Sequence, residues 1–333
     1  MKNIVSGIQP TGSINIGTYL GSIRNFVALQ EEMPDHHFYI FIADMHAITV
    51  PRNRAELRKT IKELAAIYIA CGLKRDRVSL FIQSEVIAHA QMAHLLECHA
   101  YIGELERMTQ YKEKARAQES GVSVGLFTYP VLMAGDILLY DAEYVPVGDD
   151  QKQHLELTRD IAMRMNNRYG ECLRVPKPLI PKIGARVMSL TEPTKKMSKS
   201  DANVKSKIHL LDDEAIVRKR IMSAVTDSEG IVRFDKTNKP GISNLMAIYG
   251  AVTNLSYEAI EHAFKAADYQ TFKKAVADAL VGELAPIQER YKAIVESGII
   301  DEILDEGAER ARHLSYKKIA KLYHKVGLGR KRK

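Results

Sequence analysis

The sequence predicts an α/β protein with a Rossmann-like parallel sheet and a second, all-helical C-terminal domain. The first half of the 333-residue chain alternates short runs of β-branched residues with longer segments whose apolar residues recur at helical spacing. Beyond about residue 201 the β-branched runs disappear, and helical periodicity continues from about residue 212 to 326. Repeated strand and helix units imply parallel strands covered on both faces, so we expect ligands at the carboxyl ends of the strands.

Four strands are predicted in the first half, at residues 3–8, 38–43, 79–83 and 143–147. A helical pattern follows each of them; after the first strand, Ile16, Leu20 and Ile23 lie on one helix face. We expect a first domain at residues 1–200, with a helical insertion at about 84–140, and a helical domain at 201–333. Packing of the last helix back on the first domain is left open.

The composition is typical of a well-packed globular protein, with 46% hydrophobic and 27% charged residues. No window approaches the roughly 18 unbroken apolar residues of a membrane helix, and the first ten residues do not have the pattern of a secretory signal. We therefore expect a cytoplasmic protein with no membrane partner. The net charge of +7 is compatible with a polyanionic partner but does not require nucleic acid.

The three cysteines are far apart, and none has the CxxC spacing of a redox or zinc motif. This spacing argues against a disulfide framework and against a cysteine metal site. Cys71 and Cys98 lie in apolar helical stretches, so we predict that both are small core residues.

Residues 6–17, the glycine-rich turn, connect the first predicted strand to the first helix. Glycines at 7, 12 and 17 allow the backbone to approach a ligand closely, and the following helix offers free N–H groups to a phosphate. A glycine-rich turn that binds nothing fits the pattern equally well.

Residues 195–200, the lysine loop, read KKMSKS and follow a strand-like run at 187–190. Lys196 and Lys199 are three residues apart and are flanked by small hydroxyl residues, an arrangement that suits a triphosphate. A charged run is more often a solvated surface loop, but the full string is much rarer than basic runs in general.

The two segments together resemble the paired signature of class I aminoacyl-tRNA synthetases. A HIGH-like turn at residues 15–18 precedes the KMSKS string by roughly 180 residues. Further strings, among them DMHAITV at 44–50, YPVLMAGDILLY at 129–140 and AVTDSEG at 224–230, resemble the bacterial tryptophanyl-tRNA synthetases. GELERMTQYKEK at 103–114 and VPVGDDQKQHLELTRD at 145–160 do so as well, and the resemblance covers essentially the whole chain.

The resemblance implies an ATP site made by the glycine-rich turn, a Gly-Asp-Asp run and the lysine loop. It assigns catalytic roles to Lys196, Lys199, Gln9 and Lys114, with Mg²⁺ accompanying ATP and no metal held by the protein itself. The implied ATP-binding residues are Gln9, Pro10, Thr11, Asn15, Gly17, Thr18, Gly148, Asp149, Asp150, Val187, Lys196, Met197, Ser198, Lys199 and Ser200.

The resemblance also implies a tryptophan site, in which Asp136 accepts a hydrogen bond from the indole N–H. An aspartate among apolar residues needs a donor, although a helix N-cap or a structural hydrogen bond would also supply one. Tyr129 and Gln151 match residues that hold the ammonium group, and Met133 would pack on the indole. His46 is placed beside the substrate, with a core histidine as the equal alternative.

The chain departs from the family pattern at several positions. The family turn reads Thr-Ile-Gly-Asn, whereas Asn15 and Thr18 hold the polar positions in reverse order here. Met45 replaces a common glutamine and Gly135 replaces an alanine beside Asp136. Because Thr18 has no side-chain amide, we expect altered ATP affinity or inhibitor sensitivity.

The implied activity is that of a tryptophan–tRNA ligase, with ATP, L-tryptophan and tRNA(Trp) as partners and a homodimer as the assembly. The helical domain would bind the anticodon, and the insertion at about 84–140 would form the dimer interface. Three alternatives stay open: a tyrosyl-tRNA synthetase, a HIGH-type nucleotidylyltransferase acting on a small metabolite, and a synthetase-like RNA-binding protein without catalysis. The intact lysines of the lysine loop argue against the third.

Overall fold

A five-stranded parallel sheet lies at the centre of the N-terminal half, with the strand order β3-β2-β1-β4-β5. The structure, a computed structural model, describes residues 2–116, 118, 121–148, 151–179, 186–199 and 201–330. The strands are β1 (Lys2–Ile8), β2 (His36–Ile42), β3 (Val78–Ile82), β4 (Ala142–Pro146) and β5 (Lys177–Leu179).

The four predicted strands are confirmed, and none of their ends differs from the prediction by more than two residues. The sequence did not reveal β5, a three-residue edge strand that contains Pro178. Proline lacks the N–H that an inner strand would need, so this position at the sheet edge is compatible with it. The strand-like run at 187–190 was predicted wrongly: it forms one isolated bridge, between Met188 and Lys196, and no strand.

Helices cover both faces of this sheet and form most of the C-terminal part. In the N-terminal half they are α1 (Ile16–Thr18), which continues through a π-helical turn (Tyr19–Ile23) into α2 (Arg24–Glu32), then α3 (Asp44–Ala47), α4 (Arg54–Ala70), α5 (Ala88–Glu97), α6 (Ile102–Glu106), α7 (Thr109–Arg116), α8 (Val124–Leu138) and α9 (Lys152–Tyr169). The C-terminal helices are α10 (Glu214–Met222), α11 (Pro240–Thr253), α12 (Tyr257–Ala263), α13 (Tyr269–Ser297) and α14 (Ile300–Val326). Short 3₁₀ turns lie at Gln83–Glu85 and Val204–Ser206.

Successive side chains of the central strands enter two different cores. Ile4 and Ile40 pack into the core shared with α2, α4, α11 and α13, whereas their neighbours Val5 and Tyr39 pack into the core shared with α5, α8 and α9. The period of two along a strand produces this division. Burial on both faces also explains why β2 reads as an almost continuous apolar run.

The last helix, α14, lies directly against β3. A Cβ at Gly307 would be 1.8 Å from the carbonyl oxygen of Leu80, so only glycine permits this approach. Buried Lys318 of α14 pairs with Asp141 and donates a hydrogen bond of 2.9 Å to the carbonyl of Cys172. The C-terminal helix is thereby tied to the sheet that carries the candidate site.

The prediction for the cysteines is half right. Cys71 is buried, but Cys98 is exposed, because it lies at the C-terminal end of α5 beyond the helix face that enters the core. Among the described residues, no helix combines the length and the apolarity that crossing a membrane requires.

Candidate active site

The candidate site lies where the carboxyl ends of three strands meet. The parallel register aligns Ile8, Ile42 and Ile82, the last residues of β1, β2 and β3. The glycine-rich turn, α3 and the 3₁₀ turn Gln83–Glu85 therefore leave the sheet at the same edge. These three segments lie at the edge where ligand binding is predicted for a parallel sheet.

The reversed HIGH-like turn still forms a helix cap. Oδ1 of Asn15 accepts a hydrogen bond of 2.9 Å from the backbone N–H of Thr18 and one of 3.2 Å from the Thr18 hydroxyl. Asparagine is among the best N-cap residues, so the exchange keeps the local backbone of the turn. It also commits the Thr18 hydroxyl proton to Asn15 rather than to a ligand.

The lysine loop packs against the glycine-rich turn. A Cβ on Gly17 would lie 3.5 Å from Cβ of Val187 and 3.7 Å from Cβ of Met197. The Met197 N–H donates a 3.1 Å hydrogen bond to the Val187 carbonyl, and both side chains are buried. Gly12 has a left-handed backbone, and a Cβ added to it would lie 3.9 Å from Cβ of Lys199. The two segments that the sequence singled out are thus in contact.

Lys196 and Lys199 of the lysine loop have different surroundings. Lys196 is exposed and Lys199 is half-buried. Burial lowers the pKa of Lys199 to about 8, because removal from water disfavours the ammonium form. The Lys199 carbonyl accepts a 2.7 Å hydrogen bond from Nζ of Lys207, which fixes the loop backbone.

Gly148 and Gln151 lie at the start of α9, where the Gln151 N–H donates a 3.0 Å hydrogen bond to the Gly148 carbonyl. Three residues with predicted ATP contacts, Asp149, Asp150 and Ser200, lie outside the described residues. Gln9 and Pro10 follow β1, and the Thr60 hydroxyl donates a 2.9 Å hydrogen bond to the Pro10 carbonyl, which ties this part of the turn to α4.

Asp136 is 1% exposed and accepts hydrogen bonds from three side chains. His46 Nε2 donates to Oδ2 at 2.7 Å, while Gln83 Nε2 and His89 Nδ1 donate to Oδ1 at 2.7 and 2.6 Å. Burial alone would raise the pKa of Asp136, but the hydrogen bonds from the histidines outweigh it and lower the pKa to about 2. Asp136 is therefore a buried, ionised carboxylate.

This geometry decides between some of the alternatives for Asp136. The N-cap interpretation is wrong, because Asp136 lies inside α8 rather than at its start. Structural hydrogen bonds are present, and His46 is a buried histidine bonded to this carboxylate. The protein itself therefore supplies the hydrogen-bond donors that a buried carboxylate requires. The burial of Asp136 alone does not show that a substrate N–H binds to it.

Three of the residues predicted to bind tryptophan share one face of α8. Tyr129, Met133 and Asp136 are spaced by four and three residues, which is the helical repeat. The Tyr129 hydroxyl lies 2.8 Å from Nε2 of His154, and the Tyr129 ring is edge-on to His46 with centroids 6.3 Å apart. The ammonium of Lys114 lies 4.6 Å from the centre of the Tyr129 ring, so the structure brings a residue predicted for ATP beside one predicted for tryptophan.

Sequence reasoning missed Gln83, His89, Tyr140 and His154. Gln83 carried a usable signal, since it ends a predicted strand at the ligand edge of the sheet. His89, Tyr140 and His154 lie on helices or turns, where only the packing of α5, α8 and α9 brings them to the site.

Comparison with known proteins assigns the family. The sequence model of the class I tRNA synthetases for W and Y matches residues 2–285. The chain belongs to this family. It is 54% identical to a tryptophan–tRNA ligase of Bacillus anthracis over 333 residues, which is all of both chains. This likeness favours the tryptophan branch of the family over the tyrosine branch.

Solved structures of the family agree with the fold. A tryptophanyl-tRNA synthetase from Mycoplasma pneumoniae superposes with a TM-score of 0.90 at 36% identity, covering 99% of this chain and 98% of the other. One from Campylobacter jejuni, complexed with ADP and tryptophan, gives a TM-score of 0.82 at 32% identity, with 98% of this chain and all of the other covered. These similarities argue against the two alternatives outside this family, a metabolite nucleotidylyltransferase and a non-catalytic RNA-binding protein.

Proposed function

We propose that this synthetase forms tryptophanyl-adenylate from L-tryptophan and ATP, releases pyrophosphate, and transfers tryptophan to the 3′ end of tRNA(Trp). The observation that carries the proposal is the buried Asp136 carboxylate at the sheet edge where the lysine loop packs on the glycine-rich turn. An ionised acceptor suits the indole N–H, whereas the phenylalanine ring offers it no donor.

The ATP side of the site would combine backbone and cations. In this proposal Gln9, Pro10, Thr11, Gly17 and Thr18 face the nucleotide, and the N-terminus of the following helix faces its phosphates. Asn15 contributes by capping that helix. Val187, Met197 and Ser198 shape the adenine and loop contacts, while Gly148 with Asp149, Asp150 and Ser200 complete the ribose and phosphate contacts in this proposal.

Chemistry would proceed without a protein nucleophile. A carboxylate oxygen of tryptophan attacks the α-phosphorus in line, and the bond from that phosphorus to the bridging oxygen of pyrophosphate breaks. Lys196, Lys199 and Lys114 would balance the charge that develops on the departing phosphates. A ribose hydroxyl of the tRNA then attacks the activated carbonyl carbon, gives up its proton, and AMP leaves. Positioning and charge stabilisation would provide the rate enhancement.

Mg²⁺ would enter with ATP, since phosphate oxygens are donors that it prefers, and it would neutralise phosphate charge. The lysine loop offers ammonium groups rather than carboxylates, so its side chains fit the triphosphate and not the metal. The protein residues would therefore hold the phosphates that carry the ion.

Tryptophan would lie along the face of α8 described above. Tyr129 and Gln151 would hold its ammonium group, Met133 would pack on the indole, and His46 would lie beside it. The chain itself contains no tryptophan, so the fluorescence of the bound amino acid can be followed without a background from protein tryptophan.

The helical domain at 201–333 is proposed to bind the anticodon, and a homodimer to form through residues 84–140. Ile87, Tyr101, Ile102 and Val124 support the dimer, because these large apolar side chains are 60–76% exposed on that segment. Sedimentation of the wild type and of Ile102→Lys tests it: we expect a dimer that the lysine weakens. We propose a cytoplasmic location, where the tRNA is charged.

ATP–pyrophosphate exchange tests the activity, with tryptophan, tyrosine and phenylalanine supplied in turn. We expect exchange with tryptophan and its marked loss in Asp136→Asn. Exchange that depends on tyrosine would move the assignment to the tyrosine branch, and no exchange with any of the three would contradict the proposal.

A further inference from the structure

The two oxygens of Asp136 are not equally occupied. A carboxylate oxygen offers about two lone-pair positions. Oδ1 accepts from both Gln83 and His89, whereas Oδ2 accepts only from His46 within the part of the chain that the structure describes. One acceptor position is therefore left, and it lies on Oδ2, on the side of His46.

We propose that His89 and Gln83 are positioning residues for substrate selection, which occupy Oδ1 so that Oδ2 of Asp136 is the oxygen that accepts the indole N–H. The proposal rests on the proposed function, in which Asp136 receives that N–H. His89 and Gln83 do not touch the substrate. They set the angle of the carboxylate and the oxygen that it presents.

The orientation of His89 is itself fixed. A carboxylate can only accept, so Nδ1 of His89 carries a proton, and in the neutral ring Nε2 accepts the Tyr140 hydroxyl proton across 2.8 Å. Tyr140 stacks on Tyr39 of β2 with ring centroids 4.7 Å apart and planes 16° apart. All of these side chains are buried. The imidazole can neither rotate nor change its tautomer without losing one of its two hydrogen bonds.

The orientation of Gln83 is fixed in the same way. Its Oε1 accepts a 3.2 Å hydrogen bond from the backbone N–H of Met45, which leaves Nε2 to donate to Oδ1 of Asp136. An amide rotated by half a turn would direct an oxygen at the carboxylate and an N–H at another N–H. The segments that follow β2 and β3 thus hold the Gln83 amide against Oδ1 of Asp136. Helix α5 holds His89 against the same oxygen.

A purely structural role predicts a different result from a positioning role. If His89 only keeps a buried carboxylate paired, its removal should impair every amino-acid substrate equally. If His89 positions Oδ2, its removal should impair only a substrate that donates an N–H to this oxygen. The test therefore compares tryptophan with 3-benzothienylalanine, in which sulfur replaces the indole N–H.

The measured quantity is the discrimination ratio, kcat/KM for tryptophan divided by kcat/KM for 3-benzothienylalanine in ATP–pyrophosphate exchange. His89→Phe keeps an aromatic ring among Phe41, Phe81 and Tyr140 but removes the donor. We expect it to lower kcat/KM for tryptophan about 10- to 100-fold, mainly through KM, and to change the value for the analogue less than about threefold.

Three further variants keep the test decisive if His89→Phe does not fold. Gln83→Met removes the other donor to Oδ1 and should also lower the ratio. His89→Asn can direct an amide N–H at Asp136 and should restore part of the ratio. Tyr140→Phe removes only the hydroxyl that orients His89 and should lower the ratio severalfold. An unchanged ratio in folded His89→Phe, or in both Gln83→Met and Tyr140→Phe, would overturn the proposal.

His99 provides the matched control. Like His89, it is a buried histidine within hydrogen-bond distance of a tyrosine hydroxyl, here that of Tyr169 at 2.9 Å, but its other nitrogen bonds the Leu95 carbonyl. His99→Phe should leave the ratio unchanged. Failure of the proposed function would look different: the wild type would then show no exchange with tryptophan, or Asp136→Asn would keep the wild-type ratio.

Discussion

The proposed nucleotide side and the proposed amino-acid side of this site, called the nucleotide side and the amino-acid side below, are built in contrasting ways. The nucleotide side consists of two continuous segments, the glycine-rich turn and the lysine loop, which contact each other through small residues and present an exposed cation, Lys196. The amino-acid side centres on a fully buried carboxylate whose donors come from α3, α5 and the 3₁₀ turn after β3. Mobile charge suits a phosphate group that must leave, and a fixed buried acceptor suits a substrate that must be selected.

This difference predicts that the two sides will affect different kinetic constants. Lysines that meet developing charge should act on kcat, because their contact strengthens in the transition state. The Asp136 cluster, made of Asp136, His46, Gln83, His89 and Tyr140, should act on KM for tryptophan, since its contact is present in the ground state. The predictions below are ordered by the size of the expected effect.

The largest effect is expected for Lys196→Ala combined with Lys199→Ala. We expect kcat of ATP–pyrophosphate exchange to fall by about 10³-fold or more, because two charges opposite the departing pyrophosphate are lost. The tryptophan dissociation constant, measured by ligand fluorescence, should stay the same. Lys195→Ala is the control: Lys195 is exposed and paired with Glu192, and its loss should change little. A normal kcat in the double variant would contradict the prediction that the nucleotide side acts on kcat and the amino-acid side on KM.

The second effect is that of Asp136→Asn. We expect kcat/KM for tryptophan to fall by about 10²-fold, since a charged acceptor is lost and the new amide faces three donors. ATP binding should be unaffected. Asp160→Asn is the control, because Asp160 is exposed on α9 and lies outside the cluster. Loss of ATP affinity in Asp136→Asn would show that the two sides are not separable.

The third effect is a pH dependence of the nucleotide side alone. With its pKa lowered to about 8 by burial, Lys199 loses its charge as pH rises through 8, and a triphosphate favours the charged form. ATP affinity should therefore fall above pH 8, by up to about tenfold per pH unit. Titration of ATP between pH 7 and 9.5 measures it, and Lys199→Arg should flatten the slope.

The same lowered pKa has a consequence for stability in the absence of ATP. The unfolded chain, with an ordinary lysine pKa near 10.5, binds more protons than the folded chain between about pH 8 and 10.5. The contribution of Lys199 to stability should therefore rise with pH across that window. Asp136 behaves oppositely: its contribution is lost only as pH falls toward its pKa of about 2.

The smallest effect is expected at the reversed HIGH-like turn. Thr18→Asn should change the ATP KM severalfold while KM for tryptophan stays constant, because only the nucleotide side is altered. The double variant Asn15→Thr, Thr18→Asn restores the family order and separates the cap from the ligand contact. Equal ATP KM values in the wild type and Thr18→Asn would refute the expectation that the exchange matters for ATP.

The sequence could single out the two segments of the proposed nucleotide side, because the features that mark them are local. The glycine-rich turn and the lysine loop are each continuous in the chain, and their residue types fit a phosphate ligand without further context. The four longer strands are also marked locally, because each of them can be predicted from its own run of β-branched residues. Prediction from the sequence fails for β5 and for residues 187–190. Three or four residues are too few to distinguish a strand from an extended loop.

The amino-acid side required the tertiary structure. Asp136 stood out alone as an aspartate in an apolar stretch, but its donors are 47 to 90 residues distant in sequence. No local pattern marks His89, since a histidine in an apolar helix is equally suited to a structural role. Cys98 shows the same limit, because its helical periodicity did not tell which side of the last turn of α5 faces the solvent.

The sequence by itself determined the family and the parallel sheet, and it singled out the two segments that are proposed to bind the nucleotide, because all of these depend on residue type and short spacing. The tertiary structure alone decided which oxygen of Asp136 is occupied, which histidines hold it, and that the lysine loop packs on the glycine-rich turn. The physical reason is that hydrogen bonds of a buried group depend on the relative placement of several elements, and that placement follows from the packing of the whole core.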